Sequence, residues 1–184
     1  MNAKLLISGL IKLICGLLCM GLLIFLPAGT VHYAGSWLVI GLLFVPMLIA
    51  GFVMFFKSPD FLAKRLDAKE KLGEQQLVVK LSGLMFVAGF VLAGLNFRFS
   101  WYSLPRAASI GSAVVFLLAY VLYAEVMREN AYLSRTIEVQ ENQTVISTGL
   151  YGVVRHPMYA ATLLMFLPLP LILGSFWGLC VFAL

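Results

Sequence analysis

Apolar residues in this chain fall into long blocks separated by short polar segments, and the lengths of the blocks predict the elements. A membrane-spanning helix needs roughly 20 mostly apolar residues. Leu5 to Leu26, Tyr33 to Phe56, Leu77 to Phe97, Ala107 to Met127 and Met158 to Gly174 meet or approach that length. A sixth run, Phe176 to Leu184, follows a Gly174-Ser175 turn and is too short to cross, so it is expected to open a longer helix. The predicted fold class is all-α integral membrane, with five transmembrane helices and a partial sixth in one polytopic domain over residues 1–184. The first run stays apolar to about Ala28, beyond the ~7 to 15 residues of a signal-peptide core, and Leu26-Pro27-Ala28-Gly29 is a poor cleavage site. A retained first span is therefore expected.

Two polar segments carry patterns of their own. After Lys57, Ser58-Pro59-Asp60 is a helix start signal, and Phe61, Leu62, Leu66 and Leu72 repeat behind it among basic residues. That pattern predicts an amphipathic helix lying against anionic headgroups. Further on, residues 135–140 and 143–147 alternate polar with β-branched positions around Glu141-Asn142, which predicts a hairpin-like or extended segment leading into Gly149.

Composition narrows the class. The chain is 62% hydrophobic and 11% charged, against roughly a quarter charged in an ordinary soluble domain, and its mean hydropathy of +1.00 excludes a soluble globular protein. A net charge of +5 would suggest a nucleic-acid partner in a soluble chain. Here the Lys and Arg residues sit at the ends of apolar runs and read as topology determinants, so no nucleic acid is expected. Thr30 to Ser36 carries no Lys or Arg, and the segment from Arg98 to Arg106 carries those two. Lys57, Lys64, Arg65, Lys69, Lys71 and Lys80 flank the second loop, and Arg128, Arg135 and Arg155 the fourth. The excess predicts a cytoplasmic N-terminus and cytoplasmic long loops, with a bacterial inner membrane as the expected setting. Cys15, Cys19 and Cys180 lie in apolar runs without a CxxC pair or a nearby His, which predicts buried small hydrophobes and no metal site. Glu125 is the most membrane-immersed acid, a functional candidate by default, with a local pair to Arg128 at i, i+3 as the simpler account.

The least generic stretch is Thr148-Gly149-Leu150-Tyr151-Gly152-Val153-Val154-Arg155-His156-Pro157-Met158-Tyr159. Pro157 suits the first turn of a helix, where a missing N–H costs nothing, and it sets Arg155 and His156 at the positive helix end. Free amides there, with a cation and an imidazole beside them, suit a carboxylate or phosphate. Tyr151 and Tyr159 add aromatic faces able to hold a sulfonium by cation–π attraction.

Gly149 to Tyr159 resembles the G-x-Y-x-x-x-R-H-P-x-Y pattern of the isoprenylcysteine carboxyl methyltransferase and phospholipid methyltransferase superfamily, and the likeness is specific over roughly Arg128 to Gly174. The resemblance implies an enzyme that transfers methyl from S-adenosylmethionine, held at cytoplasmic loops, to a lipophilic acceptor arriving from a bilayer of membrane lipids. The acceptor would be a prenylcysteine carboxylate or a related lipid. Within residues 128–159 it implies cofactor contacts from Gln143, Thr144, Val145, Ile146, Gly149, Tyr151, His156, Pro157, Met158 and Tyr159. Arg155 and His156 would act catalytically through orientation and electrostatics, and Arg128, Asn130 and Arg135 would face an anionic acceptor. Gln143 stands where relatives often carry His. The family pattern runs on through a last helix to a tail with Arg and paired Glu, so activity is expected of a chain carrying that tail. Two other readings compete: an NADPH-dependent lipid or sterol reductase, whose Arg-His-Pro turn continues differently from Met158 onward, and a non-enzymatic membrane scaffold. Gly83, Gly89 and Gly94 are expected to line a close helix contact, within the chain or between copies.

Overall fold

The computed structural model describes residues 3–66, 73–130 and 148–183. Among the described residues four helices are long and apolar enough to cross a membrane: α1 (Ala3–Ala28), α2 (Ala34–Lys57), α4 (Gly73–Phe99) and α5 (Arg106–Glu129). Between α2 and α4 lies a short helix, α3 (Pro59–Leu66), which begins at the Pro59 start signal. The stretch read as a fifth span is built from two pieces, α7 (Pro157–Phe166) and α8 (Pro168–Ile172), preceded by a single turn, α6 (Leu150–Val153). Pro168 and Pro170 explain the division, since neither carries the N–H that a continuing helix needs. α9 (Phe176–Phe182) follows the turn at Gly174, whose φ of +69° is open to glycine. Among the described residues there is no strand, and the fold is all-α. The expected hairpin at 135–147 lies outside the described residues.

The packing follows from which face of each helix is crowded. α1 lies against α2 and α4, α5 lies against α7 and α8, and α9 fills the space between α4 and α8. Small residues set two of these approaches. A Cβ at Gly94 would sit 2.6 Å from the Ile24 carbonyl of α1, and one at Gly89 would overlap the Phe182 ring of α9. The glycine contact is thus internal to the chain at Gly89 and Gly94, whereas a Cβ at Gly83 would meet open space. Phe182 joins Phe86, Phe90 and Phe166 in an edge-to-face aromatic cluster that ties α4, α7 and α9 together.

The turn after α8 has the most demanding polar accounting. A helix end leaves carbonyls short of partners. The turn itself pairs two of them, Gly174 N–H donating to Leu171 and Ser175 N–H to Pro170 at 2.9 and 2.8 Å, and three other segments add side-chain donors. Ser109 Oγ of α5 donates to the Leu171 carbonyl at 3.0 Å, the buried Tyr33 hydroxyl donates to Leu173, and Asn96 Nδ2 of α4 donates to Gly174 at 3.4 Å. The buried Asn96 amide also donates to Tyr102 O at 2.9 Å and accepts from Tyr102 N–H at 3.2 Å, closing the end of α4.

Two sequence readings are corrected here. Cys15, Cys19 and Cys180 are exposed rather than buried. In a chain whose outer surface meets lipid, an apolar run carries no information about which of its residues turn inward, and Ile11, Leu18 and Leu22 are exposed on α1 as well. Lys12 also breaks the rule that basic residues sit at the ends of apolar runs, since it lies well inside α1.

Replacing Asn96 with Leu should leave the Gly174 carbonyl and both Tyr102 backbone groups short of a partner, a loss of about 1–3 kcal/mol per stranded group. Thermal unfolding in detergent should show a clear drop in midpoint, and an unchanged midpoint would mean that these bonds are replaced by other donors.

Candidate functional site

The site is assembled where α5 ends and α7 begins. At 1.5 Å per residue, Pro157–Ile172 covers about 24 Å and α5 about 36 Å. α7 therefore starts short of the end of α5, and residues 148–156 fill the difference. Gly149 turns the chain with φ +56° and ψ −129°, a conformation in which L side chains are strained. Directly against it lies the carboxylate of Glu129, the last residue of α5, whose two oxygens accept the Leu150 N–H at 3.1 and 2.9 Å. A Cβ on residue 149 would overlap that carboxylate. One residue on, Asn130 Nδ2 donates to the Tyr151 hydroxyl at 2.9 Å. The end of α5 thus fixes the α6 turn through two consecutive side chains.

From there Val154 is extended and His156 takes the N-cap position of α7, with Pro157 in the first turn. Pro157 is buried and anchors the turn, while Arg155, His156 and Tyr159 stay exposed. The His156 and Tyr159 rings stack with centroids 5.4 Å apart and planes at 30°. Tyr151, Arg155, His156, Pro157, Met158 and Tyr159 line one cavity of about 170 Å³. That is below the roughly 300–1,000 Å³ typical of a whole-ligand site.

The expectation of several free amides at this helix start narrows. Pro157 has no N–H, and the Tyr159 and Ala160 N–H groups both turn back to the His156 carbonyl at 3.1 and 3.3 Å. Among the described residues this leaves the Met158 amide as the one the turn presents. The residues that line the cavity thus carry a guanidinium, an imidazole, the Met158 N–H and two phenol rings.

The sequence-predicted residues divide accordingly. Tyr151, Arg155, His156, Pro157, Met158 and Tyr159 come together at the cavity. Gly149 shapes the turn beneath it, and Asn130, read as an acceptor contact, holds Tyr151. Arg128 does not line the cavity. Its Nε donates to Glu125 Oε2 at 2.8 Å in an exposed i, i+3 ion pair, the simpler account of Glu125. Gln143, Thr144, Val145, Ile146 and Arg135 lie outside the described residues.

Glu129 was missed in the sequence. A carboxylate in the last turn of a helix opposes the helix dipole, and that mismatch signals a partner beyond the helix, here the Leu150 amide.

Residues 107–184, which begin at α5 and contain every described site residue, match the phospholipid methyltransferase family model, part of the isoprenylcysteine and phospholipid methyltransferase superfamily. No curated protein and no solved structure matches the chain.

Gly149→Ala should force the Glu129 carboxylate aside and strain the backbone by about 1–3 kcal/mol. The loosened turn should make the bond after Arg155 a faster trypsin site, while far-UV circular dichroism stays unchanged. Unaltered cleavage there would count against the Glu129 latch.

Proposed function

We propose that this membrane methyltransferase domain transfers a methyl group from S-adenosylmethionine to a lipophilic acceptor, prenylcysteine-carboxylate-like or a related lipid, at the cytoplasmic face of the membrane. The observation that carries the reading is the convergence of six residues of the Gly149–Tyr159 motif on one cavity inside the segment that matches the methyltransferase family. Bound there, S-adenosylmethionine supplies a methyl group already activated on a sulfonium, and a carboxylate acceptor needs no general base.

The residues present suit such a cofactor. Arg155, with the Met158 N–H, offers charge-assisted hydrogen bonds to a carboxylate. Tyr151 and Tyr159 offer aromatic faces to a cation, each contact contributing ~0.5–2 kcal/mol. His156, stacked on Tyr159, is held in one ring orientation and can donate or accept a hydrogen bond at the cavity wall. Asn130 fixes Tyr151 from the end of α5. Placement of this kind matters because orientation alone can supply ~7–11 kcal/mol of a two-reactant barrier.

A lipophilic acceptor is supported by the surface around the cavity. Tyr159 and Leu163 stand one turn apart on α7 and are both largely exposed, so the cavity lies beside an apolar outer face. The cytoplasmic placement is supported by the basic residues gathered at this end, including Lys57, Lys64, Arg65 and Arg155.

Calorimetric titration with S-adenosylhomocysteine tests the reading. Binding to the wild type is expected, with His156→Ala weakening it at least about tenfold and leaving the unfolding midpoint within a degree or two. Equal loss of binding and folding would remove the role given to His156. Binding of NADPH in place of S-adenosylhomocysteine would replace the reading with a reductase, and binding of neither would favour a scaffold.

A further inference from the structure

α3 carries a cation to α5. The helix is fixed at its end, where Lys12 Nζ of α1 donates to the Leu66 carbonyl, and Leu62 is buried beneath it. Between these two residues stands Arg65, half-buried, whose guanidinium donates to the Tyr123 hydroxyl of α5 and lies 5.7 Å from the centroid of the Tyr123 ring. A charge held against a neutral phenol is a feature that the methyl-transfer reading has not used.

The level of Tyr123 in the bundle follows from the bonds that hold α5 to the segment after it. Ser109 donates to Leu171 near one end of α5, and Glu129 and Asn130 bond Leu150 and Tyr151 at the other, so the two stretches run antiparallel in a fixed register. Tyr123 lies fourteen residues after Ser109 and Pro157 fourteen before Leu171. Both intervals are helical, about 21 Å each, so Tyr123 is level with Pro157, a residue of the cavity lining. Direction agrees with level. Phe116, Tyr123 and Asn130 recur every seven residues on one face of α5, the face on which Phe116 is buried and Asn130 holds Tyr151. Arg65 therefore reaches α5 at the depth of the motif turn and on the face that supports it. Neither Arg65 nor Tyr123 is in the lining itself, so a ligand that touches both Arg65 and the motif is larger than that cavity.

Charge narrows what Arg65 can do there. Glu125 is taken up by Arg128, and the Glu129 carboxylate accepts the Leu150 N–H. Asp60 stands in the first turn of α3, five residues before Arg65 and well over a quarter turn around the helix. Among the described residues no carboxylate pairs with Arg65. A guanidinium has five N–H donors, so donors remain after the bond to Tyr123, and a half-buried cation without a carboxylate favours an incoming anion. Of the residues expected to face the acceptor, Arg128 is in its ion pair and Asn130 is on Tyr151. We propose that Arg65 binds the anionic group of the methyl acceptor, a carboxylate or a phosphate, and that Tyr123 is its positioning residue. This rests on the methyl-transfer reading for the identity of the ligand. Arg65 lies outside residues 107–184, so the contact belongs to the part of the chain beyond the family match.

Calorimetric titration of the detergent-purified protein, with and without saturating S-adenosylhomocysteine, tests the assignment with two pairs of probes. N-acetyl-S-farnesylcysteine is compared with its neutral amide, and a short-chain phosphatidylethanolamine with the diacylglycerol of the same chains. The wild type is expected to prefer the charged member of one pair, and which pair it is distinguishes a carboxylate from a phosphate. Arg65→Gln should weaken that charged probe about tenfold, the factor for one charge-assisted hydrogen bond, and leave the neutral member and S-adenosylhomocysteine unchanged. Arg65→Lys should lose less. Tyr123→Phe, which keeps the ring and removes the hydroxyl, should weaken the charged probe about threefold, and it keeps the test open if Arg65→Gln fails to fold. Equal loss of charged and neutral probes in the Arg65 and Tyr123 variants would mean a structural role and overturn the proposal. So would the absence of any preference for a charged probe in the wild type, or its survival in Arg65→Gln. Failure of S-adenosylhomocysteine to bind the wild type would instead count against the methyl-transfer reading, while the titrations without it still decide whether Arg65 holds the anion.

Discussion

A chain that ends a helix against its neighbours must find partners for the buried polar groups there, and the rest of this structure is arranged around that requirement at the end of α8. Ser109, Tyr33 and Asn96 come from α5, from the segment before α2 and from α4, and they meet the carbonyls of Leu171, Leu173 and Gly174. Each bond is modest by itself. Coming from three separate segments, however, the three donors act together as a joint that fastens α8 to the bundle. The turn into α9 can then be tight, and α9 can lay Phe182 over Gly89.

With α8 fastened at one end, α5 acts as the ruler for the site at the other. It gives Ser109 to the α8 turn near its start and Glu129 to the α6 turn at its end, followed directly by Asn130. The chain from Leu150 to Leu171 is thereby held to α5 at both extremities. His156 and Arg155 are placed by this pair of attachments, with no side-chain hydrogen bond of their own to another described residue. The family match covers this same unit, α5 through α9, while α2 and α4 supply the wall against which it packs.

How much of this could be read beforehand depended on how local each cause is. Run length alone marks the spanning helices, because a bilayer demands a minimum apolar length whatever the neighbours do. Pro59 and Pro157 likewise announce helix starts through their own covalent geometry. The approach of α1 to α4 at Gly94 was legible only as a possibility, because a small residue permits contact without naming the partner. Asn96 and Glu129 could not be assigned, since what each does is decided by backbone groups beyond its own helix. The outward position of the cysteines was misread for a different reason: in lipid an apolar side chain is at home on either surface, so hydrophobicity no longer reports burial. The cluster of Tyr151 with Arg155 to Tyr159 was legible because its members are close in sequence, whereas the size of their cavity depends on the turn that Glu129 imposes.

The shortness of α7 and α8 has a consequence for the membrane itself. Together they reach about 24 Å, against a hydrocarbon core of about 30 Å, while α1, α2, α4 and α5 are long enough to cross fully. Along this flank the bilayer must thin, or the polar residues at the start of α7 must sit below the level of the surrounding headgroups. The depth at which Arg155 and His156 lie is then a property of the lipid as much as of the chain. Acyl-chain length becomes a setting on the local polarity around the cavity: a thicker membrane draws its mouth toward the hydrocarbon, and a thinner one lifts it toward water.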